Sequence, residues 1–397
     1  SPLHLFDFLF SDSELFTDLG NIELFLKNCP PYAGAIRTDI FADRLHIYEN
    51  ERWREMNDVD PLRATVWLAD PERDVHTTDE LVWKAMRLVA ADNPYHPVRE
   101  YLSSLTWDGV PRLEDWLIRL GGASDTQYTR SVSMRWMIAA VARVMRPGCR
   151  ADTMLILEGA QGTQKSTAIS VLGGQWSSAM TNGALGSKAA LEQLRGRWII
   201  EMAELDAMTK SEVSTAKDFL TRTSDYYRPS YERVARDFPR QCVFAGTVNH
   251  DTYLRDDSGG RRFWPVPIKT VDVVALAAER DQLWAEAVVK FREGVPWWLG
   301  AEDEALAKVE QEDRQTTDSW EDTVSRWLDG QLEAVGAFGA TTYTTSVGEI
   351  LEKALEMRIE NHTRPEQMRI ASILTRLGWK KHRVEIKGKQ YKRWKKL

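Results

Sequence analysis

The stretch Met154-Leu-Ile-Leu-Glu-Gly-Ala-Gln-Gly-Thr-Gln-Lys-Ser-Thr167 constrains this chain more than any other. An apolar run leads into a glycine-containing loop that ends in Lys-Ser-Thr, which reads as a buried strand, a phosphate loop and the start of a helix. Gly159 and Gly162 let the backbone curl so that N–H groups point inward, and the helix beginning at Lys165 aims its positive dipole end at the same point. Lys165 is expected to reach the β- and γ-phosphates of ATP, and the Ser166 hydroxyl to ligate Mg²⁺. The remaining contacts are expected from Ala160, Gln161, Thr163, Gln164 and Thr167. Gln164 departs from the usual pattern, in which glycine precedes the lysine. Without that setting, the same residues describe an ordinary strand, turn and helix with a surface lysine.

A phosphate loop requires an acidic partner, and the next apolar strand supplies two. Arg197-Trp-Ile-Ile-Glu-Met-Ala-Glu204 carries Glu201 and Glu204 toward its C-terminal end, where open α/β sheets place ligand chemistry. Glu204 reads as the base and Glu201 as part of the metal shell, although strand parity puts them on opposite faces, so that one of the two is catalytic. Asp225 to Arg240 then interleaves Arg228, Arg233, Arg236 and Arg240 with Tyr226, Tyr227, Tyr231 and Phe238. Guanidinium groups beside aromatic rings suit a hairpin that follows a nucleic-acid strand, with arginine on phosphates and rings on bases. The strand Gln241 to Val248 ends at Asn249, whose amide can orient an attacking water. Ser258-Gly-Gly-Arg-Arg puts Arg261 and Arg262 on a glycine loop, from which an arginine can reach a phosphate, including that of a neighbouring subunit.

The rest of the chain sets limits. A net charge of −7 excludes a generic polycation, but Lys380 to Leu397 holds nine Lys/Arg against Glu385 alone. That tail is +8 on a body of −15, which suits a local polyanion contact or a solvated end. The three cysteines, Cys29, Cys149 and Cys242, form neither a disulfide framework nor a zinc set, which points to a reducing compartment. No apolar run approaches the ~20 residues of a membrane span, and Ser1-Pro-Leu-His-Leu lacks the basic start of a secretory signal, so the expected location is cytoplasmic. The first residue is not Met, which leaves room for a preceding domain.

Four regions are expected: a mixed α+β region over 1–92, a helical collar over 93–150, the phosphate-loop core over 151–300, and a helical, winged-helix-like domain over 301–397. In the collar, helices are expected from His96, from Pro111 and over Tyr128 to Met145; their spacing equally suits a plain helical linker. In the last region Ser346-Val-Gly-Glu349 caps one helix, Pro365 begins another, and Val384 to Tyr391 forms a basic hairpin carrying Lys387 and Lys389. These two lysines are the second nucleic-acid candidates, with a purely structural wing as the alternative.

At this point the sequence resembles the virulence-associated protein E family of phages, prophages and pathogenicity islands. More distantly it is similar to superfamily III helicases and poxvirus-type primase–helicases among the AAA+ ATPases. The likeness is carried by His96-Pro-Val-Arg-Glu-Tyr-Leu, Leu157-Glu-Gly-Ala-Gln-Gly, Lys165-Ser-Thr, Trp198-Ile-Ile-Glu-Met-Ala-Glu-Leu, Arg228-Pro-Ser-Tyr, Pro239 to Asn249 and Arg261-Arg-Phe-Trp-Pro, across about 93–268. The resemblance implies an α/β AAA+-type P-loop core and an ATP- and Mg²⁺-dependent helicase or translocase acting on DNA in mobile-element replication. It also implies a homo-oligomeric ring, with a hexamer as the expected form. In that scheme Asn249 is the sensor, Arg261 or Arg262 the arginine finger, and the arginine-rich hairpin the DNA loop. Family members usually carry glycine before the loop lysine, so Gln164 keeps a second reading open: a protein that binds ATP to assemble or switch, with little helicase activity.

Overall fold

The computed structural model describes residues 10–11, 14–15, 18–180, 185–203, 205, 210–230, 233–249, 260–314, 319–337, 343–386 and 389–396. They form two compact units, one running through Asp313 and the other beginning at Arg314.

The first unit is built on a five-stranded parallel sheet of β1 (Met154–Glu158), β2 (Ser177–Met180), β3 (Ile199–Met202), β4 (Val243–Val248) and β5 (Phe263–Pro267). Their order across the sheet is β5-β1-β4-β3-β2. Every residue of β1, β3 and β4 is buried, as expected of parallel strands covered on both faces. Three helices pack against them, α1 (Gln127–Met145), α2 (Lys165–Gly173) and α3 (Val273–Arg292).

Three buried indoles lock these layers, each with its N–H satisfied. Trp136 donates to the Phe244 carbonyl at 2.9 Å, Trp198 to the Ala140 carbonyl at 2.9 Å and Trp284 to the Leu172 carbonyl at 3.1 Å. Trp198 and Trp284 also lie 4.2 Å apart, a pairing that adds about 0.5–1.5 kcal/mol beyond the area buried. Trp284 is thus a core residue.

The helix expected from Pro111 begins later, at Trp116, and ends at Gly121. The reason lies in Glu286, whose carboxylate accepts the Arg112 and Leu113 N–H groups at 2.6 and 3.0 Å and holds the segment non-helical. Burial pushes that carboxyl above the usual carboxylate range, against the two backbone donors that favour its charged form. The helix Ala301–Asp313 belongs to this unit through buried Ala307 and through Gln311, which donates to the Phe263 carbonyl at 2.8 Å.

The N-terminal part of the unit is a four-stranded sheet, in the order Arg52–Glu55, Arg44–Glu49, Ile36–Asp39, Pro94–Tyr95. The first three strands are antiparallel and the last pair is parallel. Helices Leu19–Asn28, Val59–Leu68 and Asp79–Ala91 close a separate core around Ile22, Leu26, Ile36, Ile47 and Val82. Thr78 caps the third of these helices, accepting the Leu81 N–H at 3.3 Å.

The second unit contains helices Glu321–Ala337, Val347–Lys353 and Arg364–Arg376 and the antiparallel strands Thr344–Thr345, Trp379–Ile386 and Lys389–Lys396. Its core joins Val324, Leu328, Ile350, Ile370, Ile373 and Leu374 to Trp379 and Trp394. The expected capping box is present: Ser346 accepts from Glu349 N, and Glu349 accepts from Ser346 N at 3.0 Å. The hairpin is longer than the segment read from sequence, with Trp379–Ile386 pairing Lys389–Lys396 out to buried Trp379 and Trp394. No helix among the described residues is long and apolar enough to cross a membrane.

Candidate nucleotide site

β1 delivers Gly159 to the C-terminal edge of the parallel sheet, and α2 starts six residues later. A side chain at Gly159 has no room, since its Cβ would lie 2.9 Å from the Ile268 carbonyl oxygen. Gly162 takes a φ of +85°, the left-handed region that glycine enters freely. Gln164 takes the same region with a φ of +64°. There a residue with a Cβ is strained by roughly 1–2 kcal/mol. The turn that glycine usually makes before the lysine is therefore kept with glutamine in its place. The Gln164 side chain accepts the Thr167 hydroxyl at 2.8 Å across the first turn of α2.

Lys165 is buried, and its ammonium is drawn back into the loop. It donates to Gly159 O at 2.6 Å, Ala160 O at 2.8 Å, Thr163 Oγ1 at 3.2 Å and Asn249 Oδ1 at 3.3 Å. An ammonium has three N–H bonds, so these four oxygens share it. Thr163 is itself tied down, donating to Ala160 O at 2.8 Å and accepting the Val271 N–H at 3.1 Å on its carbonyl. Gln161 and Gly162 form the exposed crest of the loop.

The acidic strand reaches the same place. The Glu201 carboxylate is buried on β3 and accepts the Ser166 hydroxyl at 2.5 Å and the Thr247 hydroxyl at 2.9 Å on one oxygen. β3 and β4 are parallel neighbours with Ala245 opposite Glu201, so Thr247 stands two residues further toward the sheet edge, on the same face. Thr247 was not singled out as a site residue from the sequence. Its signal was the Thr-x-Asn spacing, which puts Thr247 and Asn249 on one side of their strand. Glu204 lies outside the described residues.

Two hydrogen-bonded groups therefore stand side by side at the strand ends, Lys165 with Asn249 and Glu201 with Ser166 and Thr247. The donor set fits the expected ligands. A hydroxyl and a carboxylate within contact of each other are hard oxygen donors suited to Mg²⁺, which takes one or two carboxylates beside phosphate oxygens. Among the described residues no group of three or more His, Cys, Asp or Glu comes together as a metal cage.

The other expected residues stand elsewhere. Arg261 and Arg262 end a short turn just before β5, Arg261 exposed and Arg262 half-buried with its Nε buried and unpartnered. Phe263 pairs with Met154 and Pro267 with Glu158, which puts both arginines at the N-terminal edge of the sheet. One strand length, about 16 Å, separates them from the phosphate loop of their own chain.

The hairpin pairs Ser224–Tyr227 with Arg236–Pro239. Arg228 and Arg233 are exposed in the connecting segment, beside exposed Tyr226 and Val234. Arg236, at the start of the return strand, donates to Asp43 and lies 4.8 Å from the Phe238 ring. Arg240, grouped with the strand-following arginines from sequence, is a core residue instead. It is buried against Asp225 in a two-pronged ion pair of 2.7 and 2.8 Å. Removing one partner would strand a buried charge, so this pair holds the hairpin base together. Of the C-terminal candidates, Lys387 lies outside the described residues and Lys389 opens the final strand.

Residues 102–316 match the family model of the virulence-associated protein E-like domain. No curated protein matches the chain. Among solved structures, the A-form apo structure of the NrS-1 C-terminal region (305–718) superposes with a TM-score of 0.54 at 15% identity, covering 94% of this chain and 98% of that one. Another apo structure of the same region gives a TM-score of 0.53 at 14% identity, covering 90% and 95%. At this identity the likeness concerns the fold, and it spans both chains almost end to end.

Proposed function

Because the chain belongs to the virulence-associated protein E-like family, we propose that it is an ATP-dependent DNA helicase or translocase of a phage or other mobile element, acting in replication. The observation that carries this reading is the convergence of the Lys165–Asn249 pair and the Ser166–Glu201–Thr247 group at one end of a β5-β1-β4-β3-β2 sheet. A loop lysine, a hydroxyl–carboxylate pair and a strand-tip amide, all at the C-terminal edge of a parallel sheet, are the parts required to hold a nucleoside triphosphate. We read this sheet as an AAA+-type P-loop core and the second unit as a winged-helix-like domain.

In this reading Lys165 leaves the Gly159 and Ala160 carbonyls for the phosphates, and Gly159 to Thr167 wrap them with backbone N–H groups. Ser166 and Glu201 would hold Mg²⁺, which supplies neutralisation of phosphate charge when bound. Glu201 or Glu204 polarises the attacking water, and Asn249 orients it. Arg261 or Arg262 serves the site of the next subunit in a homo-oligomeric ring, a hexamer in the expected form, because its own chain puts it at the wrong sheet edge. The hairpin arginines Arg228 and Arg233 track the DNA backbone, with Lys387 and Lys389 as a second contact.

The test is ATP turnover with and without single-stranded or forked DNA. Stimulation by DNA together with strand displacement supports the helicase reading. The left-handed Gln164 favours one alternative, an ATP-binding assembly or switch protein; slow turnover that DNA leaves unchanged, with ATP-dependent oligomerisation, would select it.

A further inference from the structure

The N-terminal sheet has one face packed on its helices and one face turned away from them. By cross-strand register that second face carries Arg37, Asp39, Arg44, His46, Trp53 and Glu55. It forms one wall of a cleft of about 740 Å³, whose other wall includes Trp176, Arg195 and Arg197 from the segments just before β2 and β3. This cleft is therefore at the N-terminal edge of the parallel sheet, the opposite end from the phosphate loop.

Two arginines in it stand out for what they lack. Arg37 lies flat between two rings, 3.8 Å from the centre of Trp53 and 3.5 Å from that of Tyr95, and its Nε is buried without a hydrogen-bond partner. Arg197 makes one hydrogen bond, to the Gln175 carbonyl at 3.3 Å. Among the described residues neither has a carboxylate within ion-pair distance, whereas Arg44 is paired with Glu55 at 2.6 Å, and Arg195 with Asp43. Of the nearby acids, Asp39 accepts the Phe41 and Ala42 N–H groups at 2.8 and 3.0 Å and Glu55 is held by Arg44. Glu100 stands on the wall formed by the helix Pro97–Ser104.

A guanidinium stacked between two aromatic faces has already lost its conformational freedom and presents a fixed edge of N–H donors. An acid at that edge would have neutralised it. We propose that this cleft binds a nucleotide phosphate, with Arg37 and Arg197 on the phosphate oxygens and the exposed part of Trp176 or Trp53 against the base. The chemistry is shared by a nucleotide within a single strand and a free nucleotide. The open sheet, the rings and two arginines without a carboxylate make it a site at the opposite sheet end from the phosphate loop, adjoining the hairpin through Arg195, which shares Asp43 with Arg236.

The test uses the full chain without ATP, so that its outcome is independent of turnover. Binding of fluorescein-labelled oligothymidylate is followed by anisotropy, and a bromodeoxyuridine-substituted oligonucleotide is photo-crosslinked and the adducts mapped. Adducts on Trp53, Tyr95 or Trp176 are expected, and Arg197→Gln and Arg37→Gln should each weaken binding about tenfold and lower the log–log salt slope by about 0.7. If Arg37→Gln disturbs the ring sandwich, Arg197→Gln carries the test, since that side chain holds only one carbonyl. Thymidine monophosphate separates the sources: saturable binding lost in Arg197→Gln but kept in Lys165→Ala, with oligonucleotide affinity unchanged, assigns the cleft to a free nucleotide. Adducts confined to the hairpin, with both ligands bound equally by the wild-type protein and Arg197→Gln, would overturn the proposal.

Discussion

The two edges of the parallel sheet hold polar groups in opposite states. At the C-terminal edge Lys165 is bonded to Asn249 and to loop oxygens, and Glu201 to Ser166 and Thr247, through contacts of 2.5–3.3 Å. At the N-terminal edge Arg37 and Arg262 each keep a buried Nε with no partner, and Arg197 has one carbonyl. The first edge can be stable alone because its donors and acceptors come in matched types, so a ligand there must compete with existing bonds. At the second, the buried Nε atoms of Arg37 and Arg262 have no acceptor, and an unmatched buried N–H is destabilising by about 1–3 kcal/mol until an acceptor arrives. A site can thus be read from what its groups hold or from what they are missing.

Breaking the matched edge should have the largest effect. Lys165→Ala is expected to reduce ATP turnover about 10³-fold, while circular dichroism and the melting transition stay near wild type, since the lysine's carbonyl partners belong to Gly159 and Ala160, which are half-buried and exposed. Unaltered turnover in a folded variant would move the nucleotide site elsewhere.

The unmatched edge is tested next, by mixing. Arg261→Ala/Arg262→Ala should lose roughly 10³-fold in rate, and adding Lys165→Ala protein with intact arginines should restore part of it if the arginine acts across a subunit boundary. Activity no greater than the sum of the two variants, with subunit exchange demonstrated, would return these arginines to a surface role.

Binding at the hairpin should respond less. Arg228→Ala/Arg233→Ala is expected to weaken single-stranded DNA binding across sequences and to lower the salt slope by about 1.4. Arg236→Ala should do less to the slope, because that guanidinium is held by Asp43. A wild-type slope in both variants would take the hairpin out of the DNA path.

The smallest effect is at Gln164. Gln164→Gly relieves a left-handed residue and gives up one hydroxyl contact, so thermal stability should change by no more than about 1 kcal/mol. Faster turnover in this variant would identify the glutamine as a brake, and unchanged turnover would show that the backbone turn alone matters.

Much of the matched edge was legible because it is local. The strand, the loop and the helix start lie within fourteen consecutive residues, and their order follows from apolar patterning and glycine placement. Glu201 and Asn249 were readable as strand-end polar groups for the same reason. Glu201 was read as the metal-shell carboxylate beside Ser166, but the inclusion of Thr247 on the same carboxylate oxygen was not legible, because it depends on which strands become neighbours. Arg240 was misread as a nucleic-acid contact because its sequence neighbours are surface arginines; its pairing with buried Asp225 needs the hairpin register. The segment from Pro111 shows the same limit, since its favoured helix start was overridden by a carboxylate 174 residues away.

By itself the sequence determined that an apolar strand meets a phosphate loop, that acidic, arginine-rich and polar-tipped segments follow in order, and that a basic hairpin closes the chain. These depend on spacing within a few residues, where backbone geometry leaves few options. Only the tertiary structure decided that Arg37 from the N-terminal sheet and Arg197 from the segment before β3 share a cleft, and that Arg261 and Arg262 stand one strand length from their own phosphate loop. Such placements follow from strand order and register, which are selected by the packing of the whole core and leave no local trace at the residues they bring together.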